Sequence, residues 1–313
     1  MIKTLGIHHI TAIVNDPQRN IDFYAGVLGL RLVKKMVNFD RPEVYHLYFG
    51  NESAEPGTIV TFFPWPKLLK GRIGTGQVGV ISYSVPSGSF PFWEKRLKKF
   101  GIKWTKSERF NKEYLQFQEP DGLQLELIEE NENLLNPWTF GDITAENAIK
   151  GFSGATLYSA QSYKTVDVME NLLGLTCVGQ ENEYVRFTSE GTLGNTIDLK
   201  LNPLARGLMG AGTVHHIAWR AENDNQHKQW RDSLLDKGYR PTEILDRNYF
   251  KALYFQEGGG ILFEIATDPP GFTVDEPKND LGKKLLLPSW LESKRKELEE
   301  KLPQIEVRVM EGE

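Results

Sequence analysis

Six histidines occur in this chain of 313 residues, and four of them fall in two stretches of similar spelling. GIHHITAIVND runs from Gly6 to Asp16, and VHHIAWRAEND from Val214 to Asp224. Both read as strands, and side chains alternate faces along a strand. In the first, one face carries His8, Ile10, Ala12 and Val14, and the other carries His9, Thr11 and Ile13. The more apolar set is expected beneath a helix, which leaves His9 and Thr11 facing a cleft. In the second, Ile217 and Trp219 travel with His215, so His216 faces the cleft. In GILFEIAT, Glu264 stands on the face opposite Phe263 and Ile265. A carboxylate in the middle of an apolar strand is costly without a partner. Two imidazoles and one carboxylate make up the ligand set that binds non-heme Fe(II) and leaves coordination positions open. His9, His216 and Glu264 are therefore the candidate metal ligands. Taken singly, each reads as a satisfied core or rim residue; the shared register on three strands is what favours a metal.

The elements that must position these residues repeat along the chain. Asp16 is suited to cap a helix and Pro17 to begin it, and Gly29 can stop it before a β-rich run. Gly151 to Gly179 repeats the order strand, short helix, Leu-Gly-Leu, strand. VGVISYSV precedes a helix around Phe92 to Phe100, and VHHIAWRA precedes one around Asn225 to Lys237. Each unit closes with further strands, TIVTFFPW, LQLELIEE, TIDLKLN and GILFEIAT. The pattern is four copies of strand–helix–strand–strand–strand, near residues 5–66, 77–131, 151–203 and 212–268. One such unit leaves a face of its sheet bare, so the units should pair. The expected fold is α+β, with four βαβββ modules in two open barrels. Residues 1–140 hold modules 1 and 2, 141–270 hold modules 3 and 4, and 271–313 form a tail. The tail helix is expected near Trp290 to Lys301, started by a Ser289–Glu292 capping box. Only a pairing of module 1 with 4, and 2 with 3, lets His9 meet His216 and Glu264. Modules 2 and 3 lack the histidines, so Glu126 and Asp198, at comparable places, read as structural. One metal per chain is expected.

Bulk composition narrows the function classes. Apolar residues make up 40% and charged residues 25%, with a net charge of −5, and no Lys/Arg stripe suggests nucleic acid. The sequence shows no apolar run of membrane-spanning length and no signal-peptide pattern, so a cytoplasmic protein is expected. The single Cys177 excludes a disulfide framework and reads as a small buried residue. GTGQVG, Gly74 to Gly79, matches a dinucleotide-binding spelling but precedes a strand rather than a helix, so it reads as a linker. His46, in EVYHLYFG, reads as core or rim packing, and His227 as a solvated helix residue.

With HHIT, the DPxxxxxFY and LGL that follow it, and FEIATDPPGF near the end, the chain resembles the vicinal oxygen chelate superfamily of glyoxalases and extradiol dioxygenases. Within it, the chain is most similar to the hydroquinone-type ring-cleaving dioxygenases. The resemblance spans nearly all of residues 5–268. It implies one Fe(II) on His9, His216 and Glu264, with Mn or Zn as substitutes, and a small aromatic substrate cleaved with O2. It also implies roles near the metal for His8, Thr11, His215, Arg247 and Tyr254. Of these, His215 and Tyr254 are the first candidates for acid–base work, and Arg247 for holding the second substrate oxygen. By alternation, His8 and His215 belong on the helix side, so either those strand starts are bulged or these histidines act from behind the ligands. Catechol-cleaving relatives take their first histidine from module 3, where this chain has Gly154. Three rivals remain open: another metal enzyme of the superfamily, an isomerase or thiol transferase; a catechol dioxygenase; and a non-catalytic binder of aromatic ligands. Homo-oligomerisation is also left open.

Overall fold

The computed structural model describes residues 2–130, 136–202 and 204–312. Residues 131 and 203, the expected ends of modules 2 and 3, lie outside them. Module 1 comprises β1 (Ile7–Val14), α1 (Pro17–Ile21), β2 (Arg31–Val37), β3 (Tyr45–Gly50) and β4 (Ile59–Pro64). The Asp16 carboxylate caps α1 by accepting from Arg19 N at 2.7 Å. The helix widens into a π-helical segment, Asp22–Val27, before Gly29 turns the chain at φ +71°. Module 2 comprises β5 (Gln77–Pro86), α2 (Phe90–Lys99), β6 (Trp104–Arg109), β7 (Lys112–Gln118) and β8 (Gln124–Glu130). Module 3 comprises β9 (Gly151–Tyr158), α3 (Ser162–Asn171), β10 (Thr176–Glu181), β11 (Tyr184–Thr188) and β12 (Thr196–Lys200). Module 4 comprises β13 (Thr213–Ala221), α4 (Asp224–Asp236), β14 (Leu245–Asp246), β15 (Phe250–Gln256) and β16 (Leu262–Pro270). The fold is thus α+β, four βαβββ modules curled into two half-barrels.

One sheet has the strand order β14-β15-β16-β13-β1-β4-β3-β2 and takes an added strand, β17 (Leu285–Leu286), beside β2. The other runs β10-β11-β12-β9-β5-β8-β7-β6. Each sheet is joined at its centre by the first strands of two modules, β1 with β13 and β5 with β9, both antiparallel. Each first strand runs parallel to the last strand of its own module. This puts His9 and His216 on adjacent strands and Glu264 on the strand beyond β13. The helices cover the outer faces. On α4, His227, Trp230 and Leu234 lie at i, i+3 and i+7 and face the sheet.

Three expectations are corrected here. His227 is 0% exposed, because its helical position points inward, and its Nε2 lies 2.9 Å from Ile265 O on β16. Cys177 is exposed, because β10 is the free edge of its sheet. The Ser289–Glu292 capping box does not form. Ser289–Lys294 is a 3-10 turn after Pro288, Glu292 pairs with Arg295 at 2.6 Å, and α5 is the short helix Arg295–Lys301. The tail is tied down elsewhere. Lys34 on β2, fully buried, pairs with Asp275 at 2.5 Å and Glu276 at 2.6 Å. Phe272 stacks on Tyr249 with ring centroids 5.0 Å apart.

In the sheet of modules 2 and 3, Glu126 on β8 is the counterpart of Glu264 on β16. Glu126 pairs through β5 in the same parallel register that joins Glu264 to β13. A guanidinium meets it. Arg109 binds Glu126 and also Asp198, its Nε 2.6 Å from Asp198 Oδ2. Arg186 adds two contacts to Asp198 at 2.7 and 2.8 Å, and Ser82 Oγ donates to Glu126 at 2.5 Å. Removing Arg109 would leave the buried Glu126 without its cation, while Asp198 keeps Arg186, a loss of about 3–5 kcal/mol. Arg109→Met is expected to lower the urea unfolding midpoint accordingly while metal uptake in the other sheet persists. Unchanged stability would refute that account of Arg109.

Candidate metal centre and active-site cleft

His9, His216 and Glu264 converge. His9 Nε2 lies 3.3 Å from His216 Nε2, and Glu264 Oε2 lies 2.9 Å from His216 Nε2 and 3.3 Å from His9 Nε2. All three residues are buried, and Glu264 is 0% exposed. Among the described residues, this is the one cluster of three or more His, Cys, Asp or Glu side chains with metal-ligand proximity. Two atoms each about 2.1 Å from a cation, at a right angle, stand about 3 Å apart, so the spacing suits one ion.

The protonation pattern suits it too. His9 Nδ1 lies 2.9 Å from His8 Nδ1, and His216 Nδ1 lies 2.8 Å from His215 Nδ1. Burial, aided by the neighbouring His9, drives the His8 pKa well below its ordinary value. Burial and His216 bring the His215 pKa down to about 4. Both are therefore neutral near pH 7 and can accept a proton donated by the adjacent imidazole. That assignment leaves His9 and His216 presenting bare Nε2 lone pairs to the centre. Glu264 then faces two acceptors, and neither of its oxygens has a hydrogen-bond donor. Three inward lone pairs with no proton between them are what a divalent cation satisfies.

His8 and His215 reach these positions because both strands are bulged. The β1–β13 register slips between Ile7 and His9, and again between Val214 and His216. Each slip leaves the first histidine of its pair unmatched, and an extra residue in a strand turns its side chain. His8 packs edge-on to Phe250 at 5.2 Å, and His215 to Phe63 at 5.8 Å.

Thr11 lines the cleft, its Oγ1 2.8 Å from Thr61 Oγ1. Tyr254 lies across from Glu264 in the β15–β16 pairing, its ring 5.4 Å from His216. Burial and the Glu264 charge push its pKa well above 10, so the phenol keeps its proton. Arg247 hydrogen-bonds Tyr254, and its guanidinium also lies 5.5 Å from the Phe39 ring. A tight turn with Asn248 at φ +67° sets it there, the Asn248 N–H donating to Asp246.

The sequence reading missed His46. It lines the same cavity, with Nε2 2.9 Å from Thr61 Oγ1 and Nδ1 2.8 Å from Tyr48 OH. Tyr48, His46, Thr61 and Thr11 form one hydrogen-bonded chain into the cleft. The signal was available: in YHLYFG, Tyr45, Leu47 and Phe49 are the apolar face, so His46 and Tyr48 face the other way.

The family profile of the Glyoxalase/Bleomycin resistance protein/Dioxygenase superfamily matches residues 6–127 and 154–275. The chain belongs to this superfamily, and within it sides with the ring-cleaving dioxygenases. It is 58% identical to "Putative ring-cleaving dioxygenase MhqO" of Bacillus subtilis (strain 168), over 99% of both chains. It is 34% identical to the chlorohydroquinone/hydroquinone 1,2-dioxygenase of Sphingobium indicum, over 94% of both. A crystal structure of a "putative dioxygenase" from Bacillus subtilis superposes with a TM-score of 0.98 at 58% identity, covering 99% of this chain and 100% of that one. Among the described residues no helix is long and apolar enough to cross a membrane.

Two outcomes are expected. His9→Ala, His216→Ala and Glu264→Ala should each lose most bound metal after anaerobic loading with Fe(II), Mn(II) or Zn(II), with circular dichroism unchanged; full occupancy in Glu264→Ala would refute the assignment. For the metal-free protein, the lowered pKa values of His8, His46 and His215 fix the sign of the pH dependence. The unfolded chain takes up protons below about pH 6.5, which the folded histidines refuse until lower pH. Stability should be full at pH 7.5 and fall between about pH 6.5 and 4, as read by chemical denaturation at each pH.

Proposed function

We propose that the chain is an Fe(II)-dependent dioxygenase that opens the ring of a hydroquinone-like phenol with O2. The observation that carries this reading is the set of three buried donors aimed at one point, with the Arg247–Tyr254 pair across the same cavity. Two neutral imidazoles and one carboxylate are the donors associated with Fe(II) oxygenases that keep positions open for substrate and dioxygen. When bound, the iron would relay electron density from the ring, which is the reductant, to O2.

The protein's own groups supply the rest. A hydroquinone has its oxygens at opposite ends of the ring, so only one can reach the metal and the protein must hold the other. Arg247 provides a fixed positive charge for that oxygen. Tyr254, kept protonated, donates a hydrogen bond and can deliver a proton. Neutral His215, at the border of the cavity with its Nδ1 committed to His216, presents an Nε2–H that can hydrogen-bond a substrate oxygen. Thr11 is the cleft end of the Tyr48–His46–Thr61 chain, a route for proton exchange away from solvent. The packed aromatic wall of Phe63, Phe250 and Tyr48 restricts water. The hydroquinone specificity in the name of the Sphingobium relative supports this choice over catechol.

Oxygen uptake by the iron-loaded protein with hydroquinones and catechols side by side tests the reading. Hydroquinones should be consumed faster, and absence of uptake with both would end it. Arg247→Ala and Tyr254→Phe, at matched iron content, should lower kcat/KM for hydroquinone by tens- to a hundredfold, corresponding to about 2–3 kcal/mol. Wild-type values in both would defeat the substrate assignment and leave the metal site standing.

A further inference from the structure

Past the donor atoms the cleft changes character. Two residues along from Thr11, Thr61 and Glu264, on the same strand faces, stand Ile13, Phe63 and Leu262. One two-residue step is about 7 Å, so the lining turns from polar to apolar within the length of one ring. With Trp65, Leu245 and Met209 these side chains form the apolar wall of a chamber of about 770 Å³, which Asn38, Asp40, Arg41 and Thr242 also line. It shares His216, Arg247 and Tyr254 with the cavity of about 50 Å³ at the donor atoms, so the two adjoin across these side chains. Chambers of several hundred cubic ångströms take drug-sized ligands, and a six-membered ring with two hydroxyls fills little of this one.

The mouth carries a second, independent sign. Two linkers, one between β4 and β5 and one between β12 and β13, are zipped together by their backbones. Arg72 N donates to Leu208 O at 2.9 Å, Leu208 N to Arg72 O at 2.8 Å, and Ala211 N to Leu69 O at 3.0 Å. That zipper holds Leu68 and Met209, which line the chamber, at the surface, 36% and 53% exposed. Clustered apolar side chains left in water at a cavity mouth mark a binding surface rather than a packing one.

We propose that the natural substrate is a hydroquinone bearing an alkyl or isoprenyl chain of four or more carbons. The ring lies at the donor atoms, and the chain runs through the chamber towards Met209 and Leu68. This rests on the hydroquinone reading of the site. The chamber then acts as the specificity-determining part of the cleft, selecting by apolar burial, while Arg247 and Tyr254 select by polarity.

The test uses the full-length metal-loaded protein and a series of hydroquinone, methyl-, butyl- and hexylhydroquinone. Binding is measured anaerobically by calorimetry, and kcat/KM by oxygen uptake. Each buried methylene should tighten binding by roughly threefold, so butylhydroquinone should exceed hydroquinone by more than tenfold in both measurements. Met209→Asp places a charge at the exposed mouth, where folding is not at stake, and should flatten the dependence on chain length. Equal or falling affinity along the series overturns the inference, and so does an unaltered length dependence in Met209→Asp. If no member consumes oxygen, the dioxygenase reading fails. The anaerobic affinities then still decide whether the chamber selects an apolar chain.

Discussion

The cleft depends on one buried negative charge. Glu264 is fully enclosed, sits on a strand whose next neighbours are Phe263 and Ile265, and has no hydrogen-bond donor. An isolated carboxylate in such a place would take up a proton or destabilise the fold. Two imidazoles face it instead. Each turns a bare nitrogen inward because the other nitrogen is committed to a neighbouring histidine. The tautomer of every member of the cluster follows from that arrangement, and so does its fit to a divalent cation.

The second sheet meets the same constraint without a metal. Glu126 occupies the register of Glu264, but Arg109 and Arg186 bring the positive charge covalently attached to the chain. One duplicated scaffold thus holds a buried acid in two ways. Where guanidinium groups fill the space, the carboxylates are charge-paired; where imidazoles face the carboxylate, a divalent cation fits. The superfamily membership of the whole chain fits this history of doubled modules, with the profile matching once over modules 1 and 2 and again over modules 3 and 4.

Polarity along the cleft also has a simple origin. Strand alternation places every second residue in the cavity, so a sequence controls the lining in steps of two. Thr11, Thr61 and Glu264 give a polar base, and the next step gives Ile13, Phe63 and Leu262. The polar groups lie in the buried base of the cleft, and the apolar ones line the chamber.

Alternation and the repeat were legible in the sequence. They place His9, Thr11 and His216 on one face and Glu264 opposite Phe263, because the period of a strand is fixed by backbone geometry. The caps at Asp16 and Gly29 were legible for the same local reason. His8 and His215 were not, since a bulge arises from how β1 pairs with β13, over two hundred residues away. His227 and Cys177 were misjudged because inward or outward direction depends on which helix face meets the sheet and which strand is left at an edge. The sequence by itself determined the donor types, their strand faces and the number of modules. How the bulges turn a second pair of histidines towards the ligands, and how the linkers close around the chamber, were decided by tertiary pairing. Those features are set by contacts between distant segments, which no local pattern encodes.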